Sequence, residues 1–189
     1  MDLATHQRKL LGLVRSTYQV GSDDDAYIQA VARSKDLEEA WRNIFLWRVY
    51  VLQRSCVLTF RLLKRRQVLD EAVSAFIAQR NISPFRETQG PAFLEMLSGH
   101  GDSVIASVAQ FELALMKVRN GDSRSYTIAW CVDPNIVLGS LAKDIPFEDF
   151  VPEGLYEVVV SREFSSLFQI SAYTSARQRR KAARTSFSR

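Results

Sequence analysis

Val104-Ile105-Ala106-Ser107-Val108-Ala109-Gln110-Phe111-Glu112-Leu113-Ala114-Leu115-Met116-Lys117-Val118, and a few residues later Tyr126-Thr127-Ile128-Ala129-Trp130-Cys131-Val132, are the stretches on which the fold turns. In the first, Val104, Val108, Phe111, Leu115 and Val118 recur at steps of three and four, the spacing of one helix face. Asn120-Gly121 follows, a pair suited to a left-handed helix end. In the second, Tyr126, Ile128, Trp130 and Val132 alternate with Thr127, Ala129 and Cys131, as in a half-buried strand. The apolar period switches here from helical to extended. This predicts an α+β chain: a helical N-terminal two-thirds, then a small, mainly antiparallel sheet of winged-helix or peptide-recognition-element type.

Upstream, helical patterns dominate. Leu3 to Tyr18 reads as a short helix stopping before Gly21. Ser22-Asp23-Asp24-Asp25 supplies N-cap chemistry for one or two turns over Tyr27 to Arg33; lacking the alternating ligands of a calcium loop, the three aspartates are expected to be solvated. Asp36 and Glu39 have capping-box spacing. From there Phe45, Val49, Leu52, Cys56, Phe60 and Leu63 predict a single long central helix, its seam widened by Trp47, Val51, Leu58 and Leu62. After Lys64-Arg65-Arg66 the pattern resumes over Val68 to Ile77, and Ser83-Pro84 ends it. Gln89-Gly90-Pro91 reads as a turn, with Pro91 opening a short helix over Ala92 to Leu97.

Downstream, Pro134 is expected to break the strand, with another short strand over Ile136 to Leu138. Lys143 to Gly154 reads as an acidic, proline-containing loop, and Leu155 to Val160 and Leu167 to Ile170 as further strands. The organisation predicted is a helical region over 1–120, a sheet region over 121–175 packed on the last helix, and a basic disordered tail over 176–189. That tail holds Arg177, Arg179, Arg180, Lys181, Arg184 and Arg189 and no acid, and accounts for the net charge of +4.

Composition excludes several classes. With 47% hydrophobic and 24% charged residues, the 189-residue chain is globular rather than disordered. Its longest apolar run, Ile44 to Phe60, is interrupted by Arg48, Gln53 and Arg54, so no membrane span is expected. The N-terminus does not read as a signal peptide, and Cys56 and Cys131 are too few for a secreted disulfide framework. The expected location is cytoplasmic.

Chemistry is limited by donors. His6 and His100 are the two histidines, and neither has a partner at ligand spacing, whereas a zinc site takes three or four ligands. Cys56 lies in an apolar seam and reads as a small core hydrophobe; Cys131 sits on the less apolar side of its strand. Gly99-His100-Gly101 lacks the remainder of a phosphate loop, although His100, just before a helix, can meet exposed backbone N–H groups. Glu112 is expected at a solvated helix edge. Arg54, Arg61 and Arg65, with Lys64 and Arg66 beside them, form a basic stripe at helical spacing. A solvated face is the plain account of it, and phosphate binding the alternative. No metal site or catalytic residue is expected, and the chain should not be an enzyme on its own.

Two stretches carry a resemblance. Gln110-Phe111-Glu112-Leu113-Ala114-Leu115, within Phe93 to Val118, resembles a helix of the HvfC-like proteins, regarded as partners of multinuclear non-heme iron oxidases. Pro152-Glu153-Gly154-Leu155-Tyr156-Glu157-Val158-Val159-Val160-Ser161, with Phe164 to Ile170 after it, is similar to the C-terminal sheet of companion subunits of the TglI-like and methanobactin-partner-like kind. The resemblance spans Pro91 to Ile170 and offers no catalytic motif to carry over. It implies a companion subunit in peptide natural-product (RiPP) biosynthesis, forming a heterodimer with an iron oxidase subunit that holds the iron, with no cofactor in this chain. It further implies that the chain binds a ribosomally made precursor peptide and presents its cysteine for oxidation.

A small sheet can accept such a peptide as an extra strand. The candidate peptide-binding residues are Tyr126, Ile128, Trp130, Tyr156, Val158 and Val160, and His100, Arg61 and Arg65 are candidates for the partner interface. The competing expectation is a DNA-binding regulator using Arg61, Lys64, Arg65 and the tail; a third is an oxidoreductase subunit lending Cys56, Cys131 or His100 to a shared site.

Overall fold

Three short polar side chains start the first three helices. Asp2 accepts from the Ala4 N–H at 2.8 Å, Asp25 from Ile28 at 2.9 Å and Ser34 from Leu37 at 3.2 Å. They open α1 (Leu3–Val14), α2 (Ala26–Ala32) and α3 (Lys35–Ser55) of the computed structural model, which describes residues 2–78, 85–146 and 152–172. Helix α3 therefore begins at Ser34 rather than through a box between Asp36 and Glu39. Helix α1 stops short of Tyr18 because Ser16 adopts φ 53°, turning the chain back on itself.

The long central helix divides at Cys56. Its φ of −123° and ψ of 58° leave helical space, and α4 (Val57–Arg65) begins afresh. The Cys56 N–H still donates to Leu52 and its carbonyl still accepts from Phe60, both at 2.8 Å, so the break leaves neither group orphaned. The apolar seam persists across it: Val51, Leu52, Cys56, Phe60, Leu62 and Leu63 are all buried. Trp47, expected to widen that seam, is instead 44% exposed. Gln67, at φ 58°, ends α4 before α5 (Leu69–Ala78).

Gln89-Gly90-Pro91 is no turn: all three lie within α6 (Arg86–Leu97). Pro91 removes one N–H from that helix's ladder. Gly90 answers to packing. A Cβ there would stand 3.0 Å from the Ser55 Cβ and 3.5 Å from the Cys56 sulfur, so the absent side chain lets α6 approach the α3–α4 break. The helix end expected at Ser83-Pro84 lies outside the described residues, as does the basic tail.

The chain forms two units, Met1–Phe93 and Leu94–Arg189, dividing within α6. In the first, Leu13, Ile28 and Leu37 close a small cluster with Leu10, Tyr18 and Val31, and Phe76 meets Phe93 edge-on at 5.2 Å. The second holds α7 (Ser103–Arg119), β1 (Tyr126–Val132), α8 (Pro134–Lys143), β2 (Glu153–Val160) and β3 (Phe168–Ala172). Helix α7, expected to close the helical region, thus belongs with the sheet. Asp102 caps it through the Val104 and Ile105 N–H groups, and Gly121 ends it at φ 104°.

The sheet is antiparallel in the order β1-β2-β3, so β2 is central and β1 and β3 are edges. The strand expected over Ile136 to Leu138 is helix α8. The Asp133 carboxylate accepts from Asn135 at 2.8 Å, and Pro134 stands in the first turn, where its missing N–H costs nothing. Val137, Leu138 and Leu141 bury its apolar side. The chain is α+β as predicted. Among the described residues, no helix is long and apolar enough to cross a membrane.

Candidate functional site

Strand register assembles the six candidate peptide-binding residues into three opposed pairs: Tyr126 with Val160, Ile128 with Val158 and Trp130 with Tyr156. They share one face of the sheet, as the period-2 pattern requires. That face is core. Ile128, Trp130, Val158 and Val160 are buried, and Tyr126 and Tyr156 half-buried. Helix α7 lies on this side of the fold, with Ile105, Val108, Ala109 and Phe111 buried, and Phe111 meets Phe168 of β3 at 5.2 Å with perpendicular rings. Ile128, Trp130, Val158 and Val160 are thus core side chains, whereas Tyr126 and Tyr156 stay partly open.

What β1 does present is its margin. A cleft runs between α7 and the start of β1, lined by Gln110, Leu113 and Lys117 from the helix and by Tyr126, Thr127 and Ile128 from the strand. Gln110 is fixed by donating to the Ser98 carbonyl at 3.0 Å. Further along, the Ser107 hydroxyl donates to the Ala129 carbonyl at 3.0 Å, and the Ser103 hydroxyl lies 3.0 Å from the Cys131 sulfur. Polar side chains of α7 thus reach β1 at Ala129 and Cys131, while the Tyr126–Ile128 end borders the cleft.

The cleft mouth is charged. Lys117 lies 3.6 Å from Glu95 and 5.9 Å from the Tyr126 ring, and Arg124 lies 5.7 Å from the same ring. The Asp122 carboxylate accepts from Arg124 at 2.6 Å and from the Tyr126 hydroxyl at 2.6 Å. The Arg124 guanidinium, then the Tyr126 hydroxyl, hold Asp122 well below the usual carboxylate range, and the bond to Asp122 raises the Tyr126 phenol. Lys117, Asp122 and Arg124 escaped the sequence reading. The one signal was the turn composition of Asn120 to Ser125, which marks a bend without saying which side chains converge there.

The candidate interface residues divide between the units: Arg61 and Arg65 are half-buried on α4 of the first, His100 exposed in the second. His100 does meet backbone, its Nδ1 accepting from the Asp102 N–H at 3.0 Å. The basic stripe does not share one helix, because the Cys56 break puts Arg54 on α3 and Arg61 and Arg65 on α4. Comparison of the chain with protein-family models, curated proteins and solved structures finds no match.

Two further expectations are corrected. Glu112 is buried, at 8% exposure, because α7 packs over more of its circumference than a single seam implies. Asp24 is not solvated either. It is 8% exposed, accepting from Lys9 at 2.5 Å, from the Tyr18 hydroxyl and from the Gly21 N–H. Cys56 is buried and its sulfur lies 3.6 Å from the Gly90 carbonyl, whereas Cys131 is exposed. Among the described residues, no three His, Cys, Asp or Glu side chains gather as a metal-binding group.

Proposed function

We propose that this protein is a non-catalytic companion subunit that binds a ribosomally made precursor peptide along β1 and presents the peptide's cysteine to a partner iron-dependent oxidase. The observation that carries the reading is an edge strand bordered by a cleft. Main-chain groups on the open side of an edge strand can pair with an added strand, giving affinity with little demand on sequence. Gln110, Lys117 and Thr127 border the cleft with polar groups able to select among extended segments. The buried candidates, Ile128 and Trp130 above all, keep a rigid strand for the incoming one to join. The resemblance from Pro91 to Ile170 supplies the chemistry expected of the partner, which on this reading carries the iron in a cytoplasmic heterodimer.

The test is a titration of the full chain with the precursor peptide encoded beside its gene, followed by amide resonances. Shifts centred on Tyr126 to Ile128 and on the Gln110–Lys117 side of α7 are expected, and Lys117→Glu should weaken binding by about tenfold, as for an interfacial charge. A peptide that shifts β3 or α8 alone, or does not bind, refutes the reading.

A further inference from the structure

The main-chain groups of β1 can be assigned a direction residue by residue. Ser161 donates its N–H to the Leu167 carbonyl at 2.9 Å, one step beyond the register that sets Val160 against Phe168. In a central antiparallel strand each residue directs both main-chain groups to one neighbour, and successive residues alternate. Glu157 and Val159 therefore face β3, while Tyr156, Val158 and Val160 face β1. Their partners Trp130, Ile128 and Tyr126 are taken up by β2, which leaves Thr127 and Ala129 directing theirs out of the sheet. The Ser107 hydroxyl, donating to the Ala129 carbonyl at 3.0 Å, agrees with this assignment. The outward edge is bounded at both ends. Strand β1 begins at Tyr126, so Thr127 is its first outward residue. At the far end α7 closes the edge, with Ser107 on Ala129 and the Ser103 hydroxyl 3.0 Å from the Cys131 sulfur. Thr127 keeps both its N–H and its C=O unclaimed among the described residues, and it borders the cleft beside Ile128, Leu113 and Ala114.

We infer that the peptide joins β1 through a single two-bond ring at Thr127 and is selected by one large apolar side chain, carried next to the paired residue, that enters the cleft. The inference rests on peptide binding at β1 and adds where that binding starts, where it stops and what it reads. Side chains of an added strand alternate as those of β1 do. The peptide residue opposite Thr127 shares the exposed face of Thr127, so its neighbours point to the side of Tyr126 and Ile128, where the cleft opens toward α7. Leu113, Ala114 and Ile128 give that cleft apolar walls, and its volume of about 170 Å³ suits one side chain; an apolar cavity of about 150 Å³ holds a benzene ring. Two main-chain hydrogen bonds exchanged with water contribute little net affinity, so discrimination falls to the side chain that leaves water. From Ala129 onward the edge belongs to α7, and the remainder of the peptide departs from the sheet there.

The experiment uses the full chain and the synthetic precursor peptide encoded beside its gene, with each peptide amide N-methylated in turn and each side chain replaced by alanine in turn. One N-methyl group should lower affinity more than about tenfold, and those two residues to either side of it should not. One alanine change of comparable effect, at a large apolar residue, should fall within two residues of that amide. In the protein, Thr127→Pro deletes an outward N–H while sparing the ladder to β2, and should weaken binding more than about tenfold; Ala129→Pro should change it less than about twofold. Circular dichroism checks that both variants fold, and the peptide scans read the same register without them. Two sensitive amides spaced two residues apart, equal losses from two folded proline variants, or affinity that no single side chain controls overturns the inference while peptide binding at β1 stands. A peptide that does not bind, or that shifts β3 or α8 alone, refutes the reading and the inference together.

Discussion

The Tyr18 hydroxyl lies 2.6 Å and 2.8 Å from the two carboxylate oxygens of Asp24. Lys9 completes the grip from α1, and the Gly21 N–H from the intervening loop. One carboxylate thus ties the end of α1 to the start of α2. The hydrogen bond from Lys9, then that from Tyr18, lower the Asp24 carboxyl to about 2, while the bond to Asp24 raises the Lys9 amine above its ordinary value. A depressed acid stabilises the fold above its unfolded pKa near 4 and loses that contribution as pH falls toward 2. A raised amine contributes below about 10.5 and loses it as pH rises further. In wild type, thermal melting should fall between pH 4 and 2. Asp24→Asn should flatten that part of the profile and lower Tm near neutrality by roughly 5 °C, read by scanning calorimetry.

Gly12 faces the same cluster. A Cβ there would lie 2.6 Å from the Tyr18 Cβ, so an alanine must displace Tyr18 close to its backbone. In a free helix Gly→Ala gains about 1 kcal/mol. Here we expect Gly12→Ala to destabilise by about 1–3 kcal/mol through overpacking, in a urea titration. A stabilised variant would mean that Tyr18 repacks freely.

Trp130 tests whether the inner face of β1 is core. It is 2% exposed, and its indole N–H has no hydrogen-bond partner among the described residues. Trp130→Ala should cost about 3–5 kcal/mol. Trp130→Phe, which removes no hydrogen bond, should cost less than about 1.5 kcal/mol. A ligand-facing tryptophan would show the reverse, with little change in stability and a loss of binding.

The cysteines should separate by access. Cys131 is exposed and Cys56 fully buried. Under native conditions a maleimide should label one thiol per chain, mapped to Cys131 by peptide mass. Cys56 should react on the timescale of global unfolding.

Asp102 should contribute as a cap. Its carboxylate accepts from two N–H groups at the start of α7, so Asp102→Ala should cost about 1 kcal/mol and Asp102→Asn much less, by chemical denaturation.

Strand β1 was legible residue for residue, because strict alternation from Tyr126 to Val132 admits no helical reading. The buried identity of its apolar side was not. Alternation says that Ile128 and Trp130 share a face without saying whether α7 or another molecule covers it. The Cys56 break was invisible for a related reason: two successive helices preserved the three–four spacing, and one residue's backbone angles divide them. Asp133-Pro134 held a readable helix-start signal, a cap followed by a first-turn proline, which reading the proline only as a breaker obscured. Asp24 lay among three similar aspartates, and only the fold singles out the one that Lys9 and Tyr18 reach.

The two connections within the sheet differ greatly in span: β1 reaches β2 through residues 133–152, whereas β2 reaches β3 through 161–167. Closing the longer one costs about 1 kcal/mol more chain entropy. Chain entropy alone thus favours closing the β2–β3 pairing before that of β1 with β2. Once formed, β1 is held by both β2 and α7, so its amides should exchange more slowly than those of β3.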